Sequence, residues 1–216
     1  MATNLPSSEA KPRPAIGTTM TKTGRPRAFD ADQALDTALL TFWTHGYEGT
    51  SLGTLTEAMG INRPALYLAF GSKQELFFRA LDRYYAVYGA HTAQALAEPT
   101  ARTATEEYLT RWAAQLTTPG RPPGCFTVQT ALTCSAENEA VRDELTRRRG
   151  LGAQLLRERY ESAAKAGDLP AGHTPEALAR FVYTVGLGLA VQAGGGATRA
   201  ELMDTVTTTL GTIFPR

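Results

Sequence analysis

The stretch TSLGTLTEAMGINRPALYLAFGSK, residues 50–73, decides how the chain is read. Thr50 and Ser51 are N-cap residue types, since a side-chain oxygen there can accept from the unpaired N–H groups of a first helical turn. Leu52, Leu55 and Met59 follow as a narrow apolar stripe that stops at Gly60, which predicts a helix of about eight residues. After the turn Gly60, Ile61, Asn62, a second cap residue leads into a segment where Pro64 is tolerated in the first turn. Leu66 and Phe70 fall on one face of it. Two short helices across a three-residue turn have the form of a helix-turn-helix, whose second helix enters the DNA major groove. Leu52, Leu55, Met59, Leu66 and Phe70 make an apolar floor, which leaves Arg63, Ala65, Tyr67, Leu68 and Ala69 outward. An outward leucine and alanine suit thymine methyl groups, although the spacing alone also fits helical proteins that never meet DNA.

Upstream, Ala34, Leu35, Ala38, Leu39, Phe42 and Trp43 recur at helical spacing, predicting a helix over 31–45 that Gly46 stops. Downstream, Gly71 breaks the chain and Ser72 caps a longer helix, with Glu75 completing a capping box. That helix is expected over 73–97. Its Leu76, Phe77, Ala80, Leu81, Tyr84, Val87, Tyr88 and His91 form an apolar face wide enough to touch more than one neighbour. Further helical windows follow at 102–117, 125–136, 138–166, 174–193 and 199–213, separated by Gly/Pro-rich breaks. Strand-like alternation is absent, so the fold class is all-α.

Composition agrees with a folded chain of one ordinary domain or a small domain joined to a larger one. With 43% apolar and 20% charged residues over 216 positions, most of the chain can bury a core. The formal net charge of +1 hides an asymmetry: residues 1–28 carry Lys11, Arg13, Lys22, Arg25 and Arg27 against Glu9 alone, +4, and the remainder carries −3. The first 28 residues, rich in Pro, Thr, Ser, Ala and Gly, read as a flexible basic arm before a mildly acidic body. Two cysteines, Cys125 and Cys134, are too few for a disulfide framework and point to a reduced, cytoplasmic protein. On one helix they would stand about 13 Å apart on opposite sides, too far to bridge. His45, His91 and His173 share no metal-ligand spacing with them, so no metal is expected. No signal-peptide core precedes the first helix, and the longest apolar stretch, residues 181–193, falls short of the roughly 20 residues that span a bilayer. No membrane partner is expected.

The rest of the chain offers two features. Leu178, Phe181, Val182, Val185 and Leu189 form a stripe beside small Gly186, Gly188 and Ala190, which lets another helix approach closely, and the last helix adds Leu202, Val206, Leu210 and Ile213. Second, Tyr84, Tyr88, Trp112, Phe126, Tyr160, Phe181 and Tyr183, with His91, supply aromatic rings to the interior. Singly, each can fill a core; together they predict an aromatic-lined pocket touched by the helix that starts at Lys73. Enzyme parts are missing: there is no GKS/T phosphate loop, HExxH, GxSxG or dinucleotide fingerprint, so neither catalysis nor a cofactor is expected.

Together, the GRPR run at residues 24–27, Ala34-Leu35, Phe42-Trp43, GYEGTSL at 46–52, MGINRPALY at 59–67 and FGSKQELF at 70–77 resemble the N-terminal domain of TetR/AcrR-type transcriptional regulators. The resemblance is dense over 24–81 and architectural beyond residue 95. It implies a basic arm over 1–28, a DNA-binding domain over 29–72 and an effector-binding and dimerisation domain over 73–216. It implies that Thr50 and Ser51 meet phosphate, that Arg63, Pro64, Ala65, Tyr67 and Leu68 face the bases, and that Lys73 grips the DNA backbone. Arg25 and Arg27 match the arm that reaches the minor groove in some members. Ala69 stands where many members have a phosphate-touching histidine. By the same resemblance the last two long helices, with Leu178, Val182, Val185, Gly186, Leu189, Leu202, Val206 and Leu210, pair with a second copy, and Tyr84, Tyr88, His91, Trp112, Phe126 and Phe181 line an effector pocket. The implied protein is a homodimeric repressor released from a palindromic double-stranded operator by a small molecule. An activator on the same scaffold and a helical ligand-binding protein or enzyme without DNA affinity are the alternatives.

Overall fold

The computed structural model describes residues 30–215, the side chains of Ala90 and His91 excepted. The described residues form ten helices and no strand. The first is α1, Ala31–Gly49, started by the Asp30 carboxylate, which accepts from the N–H groups of Asp32 and Gln33. Gly46 interrupts it with φ 71°, a left-handed conformation in which glycine carries no Cβ penalty. The stop predicted there is therefore a kink, after which one more turn ends at Gly49.

Next come α2, Leu52–Met59, and α3, Arg63–Phe70, with bounds set by the residues that the sequence singles out. The Ser51 hydroxyl accepts from Thr54 N–H at 3.0 Å, and Asn62 Oδ1 accepts from Ala65 N–H at 2.9 Å. Gly60 turns between them with φ 66°. In α4, Lys73–Tyr88, the capping box forms as predicted: Ser72 N–H donates to Glu75 Oε2 at 2.7 Å, and Glu75 N–H donates to Ser72 Oγ at 3.2 Å.

The expected 25-residue helix over 73–97 is divided. α4 ends at Tyr88, and after Gly89 the chain continues as α5, Ala90–Leu96. A Cβ at Gly89 would lie 2.5 Å from the Tyr85 carbonyl oxygen, so the tight junction depends on glycine. The remaining helices are α6 (Ala101–Leu116), α7 (Phe126–Thr133), α8 (Glu139–Lys165), α9 (Pro175–Gly194) and α10 (Arg199–Ile213).

One continuous core joins both halves. Leu55, Leu66 and Phe70 share this core with Ala38, Leu39 and Phe42 of α1, and it runs on through Leu76, Phe77 and Leu81 of α4 to Phe126 of α7. Rings interlock edge to face, Phe42 with Phe77 at 5.2 Å and Phe77 with Phe126 at 5.5 Å. Such pairs add about 0.5–1.5 kcal/mol beyond area burial. Two ion pairs tie α4 to its neighbours: Arg83 clasps Asp36 of α1 through Nε and Nη2 at 2.7 and 2.9 Å, and Arg148 of α8 reaches Asp82 at 2.6 Å.

The α9 stripe faces inward. Leu178, Val182, Gly186 and Leu189 are buried within the single chain, as are Leu202, Val206 and Leu210 of α10, because α9 packs on α6 and α8 while α10 packs on α6 and α9. A Cβ on Gly186 would sit 2.6 Å from the Trp112 ring, so the close approach predicted for a partner helix is made instead to α6 of the same chain. Only Val185 of the expected dimer residues is half-buried rather than buried. α9 has 20 residues and a mean hydropathy of 1.3, enough by length and composition to cross a membrane. Its apolar side is spent on this core.

Candidate nucleic-acid interface and effector cavity

The helix-turn-helix presents one bare face. On α3, Leu66 and Phe70 are buried, while Arg63 and Pro64 are exposed, Tyr67 is 50% exposed and Leu68 is 91% exposed. Ala65 and Ala69 are half-buried at the margin. The face is rigidly held, since α3 is capped by Asn62 at one end and by Arg79, whose Nη1 donates to the Ala69 carbonyl at 3.0 Å, at the other. Leu68 contributes nothing to the core, so its apolar surface is available to a partner.

Ser51 and Thr50 divide in role. Ser51 is exposed at the N-terminus of α2, where free N–H groups and the positive dipole end favour an anion. Thr50 is fully buried; its hydroxyl donates to the Gly46 carbonyl at 2.6 Å and its N–H to the Tyr47 carbonyl at 3.4 Å. It therefore has no side-chain group to offer a phosphate and instead shapes the entry to α2. Lys73, the first residue of α4, holds its ammonium 4.3 Å from the centre of the Tyr47 ring. Partial burial lowers its pKa, while nearby Glu48 raises it. Arg25 and Arg27 lie outside the described residues.

Glu48 is not singled out by the sequence, yet it bridges the two halves. It accepts from Ser135 N–H at 3.0 Å, Ser135 Oγ at 2.7 Å and Asn138 Nδ2 at 2.6 Å, in the loop between α7 and α8. These bonds hold its carboxyl below the usual carboxylate range, led by the Ser135 hydroxyl.

The predicted pocket exists, with different walls in part. A cavity of about 100 Å³ is lined by Tyr84, Tyr85 and Tyr88 of α4, Tyr108 and Trp112 of α6 and Tyr183 of α9, among others. Tyr84, Tyr88 and Trp112 thus stand where the sequence places them. Phe126 does not: its ring lies in the core between Trp43, Phe77 and Tyr84. Phe181 points away, 47% exposed on the outer side of α9. The His91 side chain lies outside the described residues. Tyr160 is fully buried elsewhere, its hydroxyl 2.7 Å from that of Thr105.

Cys125, the N-cap of α7, lines the cavity with its Sγ 3.3 Å from the Tyr84 hydroxyl and 3.2 Å from Thr127 Oγ1. Burial pushes the Tyr84 hydroxyl well above its ordinary pKa. Cys134 caps the other end of α7, and both thiols are free. Among the described residues no cluster of His, Cys, Asp or Glu could hold a metal ion.

Comparison with known proteins settles the affiliation. The family model for bacterial regulatory proteins of the tetR family matches residues 34–80, and that for a tetracyclin repressor-like C-terminal domain matches residues 103–206. The HTH-type transcriptional repressor ComR of Escherichia coli (strain K12) is 35% identical over 189 residues, 87% of this chain and 90% of that protein. The chain belongs to the TetR family. Among solved structures, the TetR family regulator CifR, a cysteine mutant complexed with 26-bp double-strand operator DNA, is 45% identical with a TM-score of 0.81, over 87% of this chain and 98% of that one. A TetR regulator from Rhodococcus sp. RHA1 is 42% identical, with a TM-score of 0.58 over 83% and 97%. In TetR terms, the first matched segment holds α2 and α3 with the Lys73 end of α4, and the second holds most of the cavity wall.

Proposed function

We propose that this TetR-family chain is a transcriptional repressor that binds a palindromic double-stranded operator as a homodimer and leaves it when a small molecule fills the cavity. The observation that carries this is the outward face of α3, where Arg63, Tyr67 and Leu68 are displayed while Leu66 and Phe70 anchor the helix. In this reading Arg63, Pro64, Ala65, Tyr67 and Leu68 meet base edges, Ser51 and Lys73 meet phosphates, and Arg25 and Arg27 extend the interface from the arm. Thr50 acts only by positioning α2. Domains over 29–72 and 73–216 divide the work between DNA and effector, and the cytoplasm is where that DNA lies.

The dimer face follows from what the single chain leaves open. Phe181, Thr184, Gly188 and Val191 form one exposed line along α9, and nothing lies within 4 Å of a Cβ placed on Gly188. A second copy pairs there, with the exposed Thr207, Thr208 and Gly211 of α10 beside it. The test is a band shift with DNA adjoining the protein's own gene: the expected result is retarded DNA that excess unlabelled fragment releases and unrelated DNA does not. Equal competition by unrelated DNA would refute the reading.

A further inference from the structure

The cavity selects its occupant by charge, granted the effector role proposed above, on which this reading rests. Arg111 of α6 and Arg148 of α8 both line it, and among the described residues no carboxylate does. Each guanidinium is held in place without being used up. Arg111 donates through Nε to Glu107 at 2.6 Å and through Nη1 to Gln94 at 3.3 Å, while Arg148 donates through Nε to Glu144 and through Nη2 to Asp82, each at 2.6 Å. Nη2 of Arg111 and Nη1 of Arg148 are left with no hydrogen bond among the described residues. An anion can take charge-assisted bonds from these two nitrogens and break no ion pair.

The charge around the lining has the same sign. Glu144 is shared between Arg148 and Arg147, which clasps it through Nε and Nη2 at 2.7 Å each, and Arg121 holds its guanidinium carbon 4.8 Å from the centre of the Tyr88 ring. These arginines outnumber the carboxylates that pair with them. Beside Arg148, whose side chain is only 11% exposed, the attraction for an anion is weakly screened. A cation would be repelled, and an uncharged molecule would leave both free nitrogens unused. Tyr88 and Tyr183, also on the wall and with no hydrogen-bond partner for their hydroxyls among the described residues, are further donors. Burial pushes the Tyr183 phenol well above its ordinary pKa, which keeps its proton in place.

Size and the rest of the wall set the body of the molecule. The cavity measures about 100 Å³, against roughly 150 Å³ for an apolar cavity known to take benzene, so a ring is too large and about four or five non-hydrogen atoms fit. Tyr108, Trp112, Val128 and Leu187 supply apolar surface that a bare inorganic oxoanion would leave uncovered and a short hydrocarbon tail would cover.

We propose that the effector is a short-chain aliphatic monocarboxylate whose oxygens accept from the free nitrogens of Arg111 and Arg148 and whose hydrocarbon end lies against Trp112. Calorimetry on the full chain tests this with five probes: propanoate, propanamide, propylammonium, nitrate and benzoate. Propanoate should bind one per chain, at least about tenfold more tightly than propanamide, which has the shape without the charge, and should release operator DNA. Arg111→Gln should bring propanoate down to the affinity of propanamide. Propanoate no tighter than propanamide, binding of propylammonium, nitrate or benzoate as tight as that of propanoate, an unaltered propanoate affinity in Arg111→Gln, or propanoate binding without operator release would overturn it. The propanoate and propanamide pair on the unaltered chain decides the matter even if the variant does not fold. Operator binding without any probe is measured alongside: if it persists while propanoate fails, the ligand class is wrong and the DNA reading stands.

Discussion

Glu48 of α1 and Ser135, 87 residues later, are joined by two hydrogen bonds, Ser135 donating from N–H at 3.0 Å and from Oγ at 2.7 Å. Glu48 stands three residues before Ser51, and Ser135 follows the end of α7, whose N-cap Cys125 lines the cavity. A short helix therefore has one end at the cavity and the other against the turn that leads into α2. A shift of α7 when the cavity fills would reach α1 through this link.

Glu48→Ala should consequently weaken the coupling, leaving effector binding in place but reducing the effector-induced loss of operator affinity by about 0.5–2 kcal/mol. Operator titrations with and without effector give the difference. The link is also insensitive to pH in the neutral range: its carboxyl is held below the ordinary 4.5, so the stabilisation is complete above that value and is lost only as pH falls through the lowered one. Coupling that varied between pH 6 and pH 8 through this residue would count against the assignment.

Leu68 and Leu66, two residues apart on α3, should respond oppositely to truncation. Leu66→Ala opens a cavity in the core and should cost about 2–5 kcal/mol of stability. Leu68→Ala should change stability by no more than about 0.5 kcal/mol yet lower operator affinity and relax the preference for thymine at the step it meets. Thermal melts and competition band shifts separate the two effects.

Lys73→Ala should weaken operator binding uniformly across sequences and make the salt dependence shallower by about one unit for each phosphate that the lysine no longer neutralises. A log–log plot of affinity against salt checks this. An unchanged slope would remove Lys73 from the phosphate-binding set and leave its ammonium as a partner of Tyr47 alone.

Gly186→Ala tests the inward reading of α9. The new methyl would press on the Trp112 ring, costing about 1–3 kcal/mol of stability and narrowing the cavity. Dimer affinity should be spared, whereas Phe181→Asp or Gly188→Leu on the outer face should lower it. Analytical ultracentrifugation distinguishes these outcomes; loss of dimer from Gly186→Ala without loss of stability would restore the stripe to the interface.

Local signals account for what the sequence makes legible. Caps at Ser51, Asn62 and Ser72 and the left-handed Gly60 act within a few residues, so the boundaries of α2 and α3 can be read directly. Gly89 is visible too, but one glycine in an apolar pattern is compatible with a continuous helix; its need at the junction shows only in three dimensions, where a Cβ would lie 2.5 Å from the Tyr85 carbonyl oxygen. The face of α9 is not legible, because a Leu/Val stripe beside glycines suits a core helix and a partner helix equally; which it is depends on α6 and α8, far away in sequence. Phe126 likewise is claimed by Trp43 and Phe77, and Glu48 by Ser135, pairings with no local trace.

The most direct test of the central claim is footprinting of the operator at increasing protein concentration, joined to the mass of the protein–DNA complex. The symmetric display of two α3 faces predicts protection of a near-palindrome with half-sites one helical turn or a multiple apart, both filling together on binding of two chains or of a multiple of two. Protection of one asymmetric half-site by a single chain would contradict it.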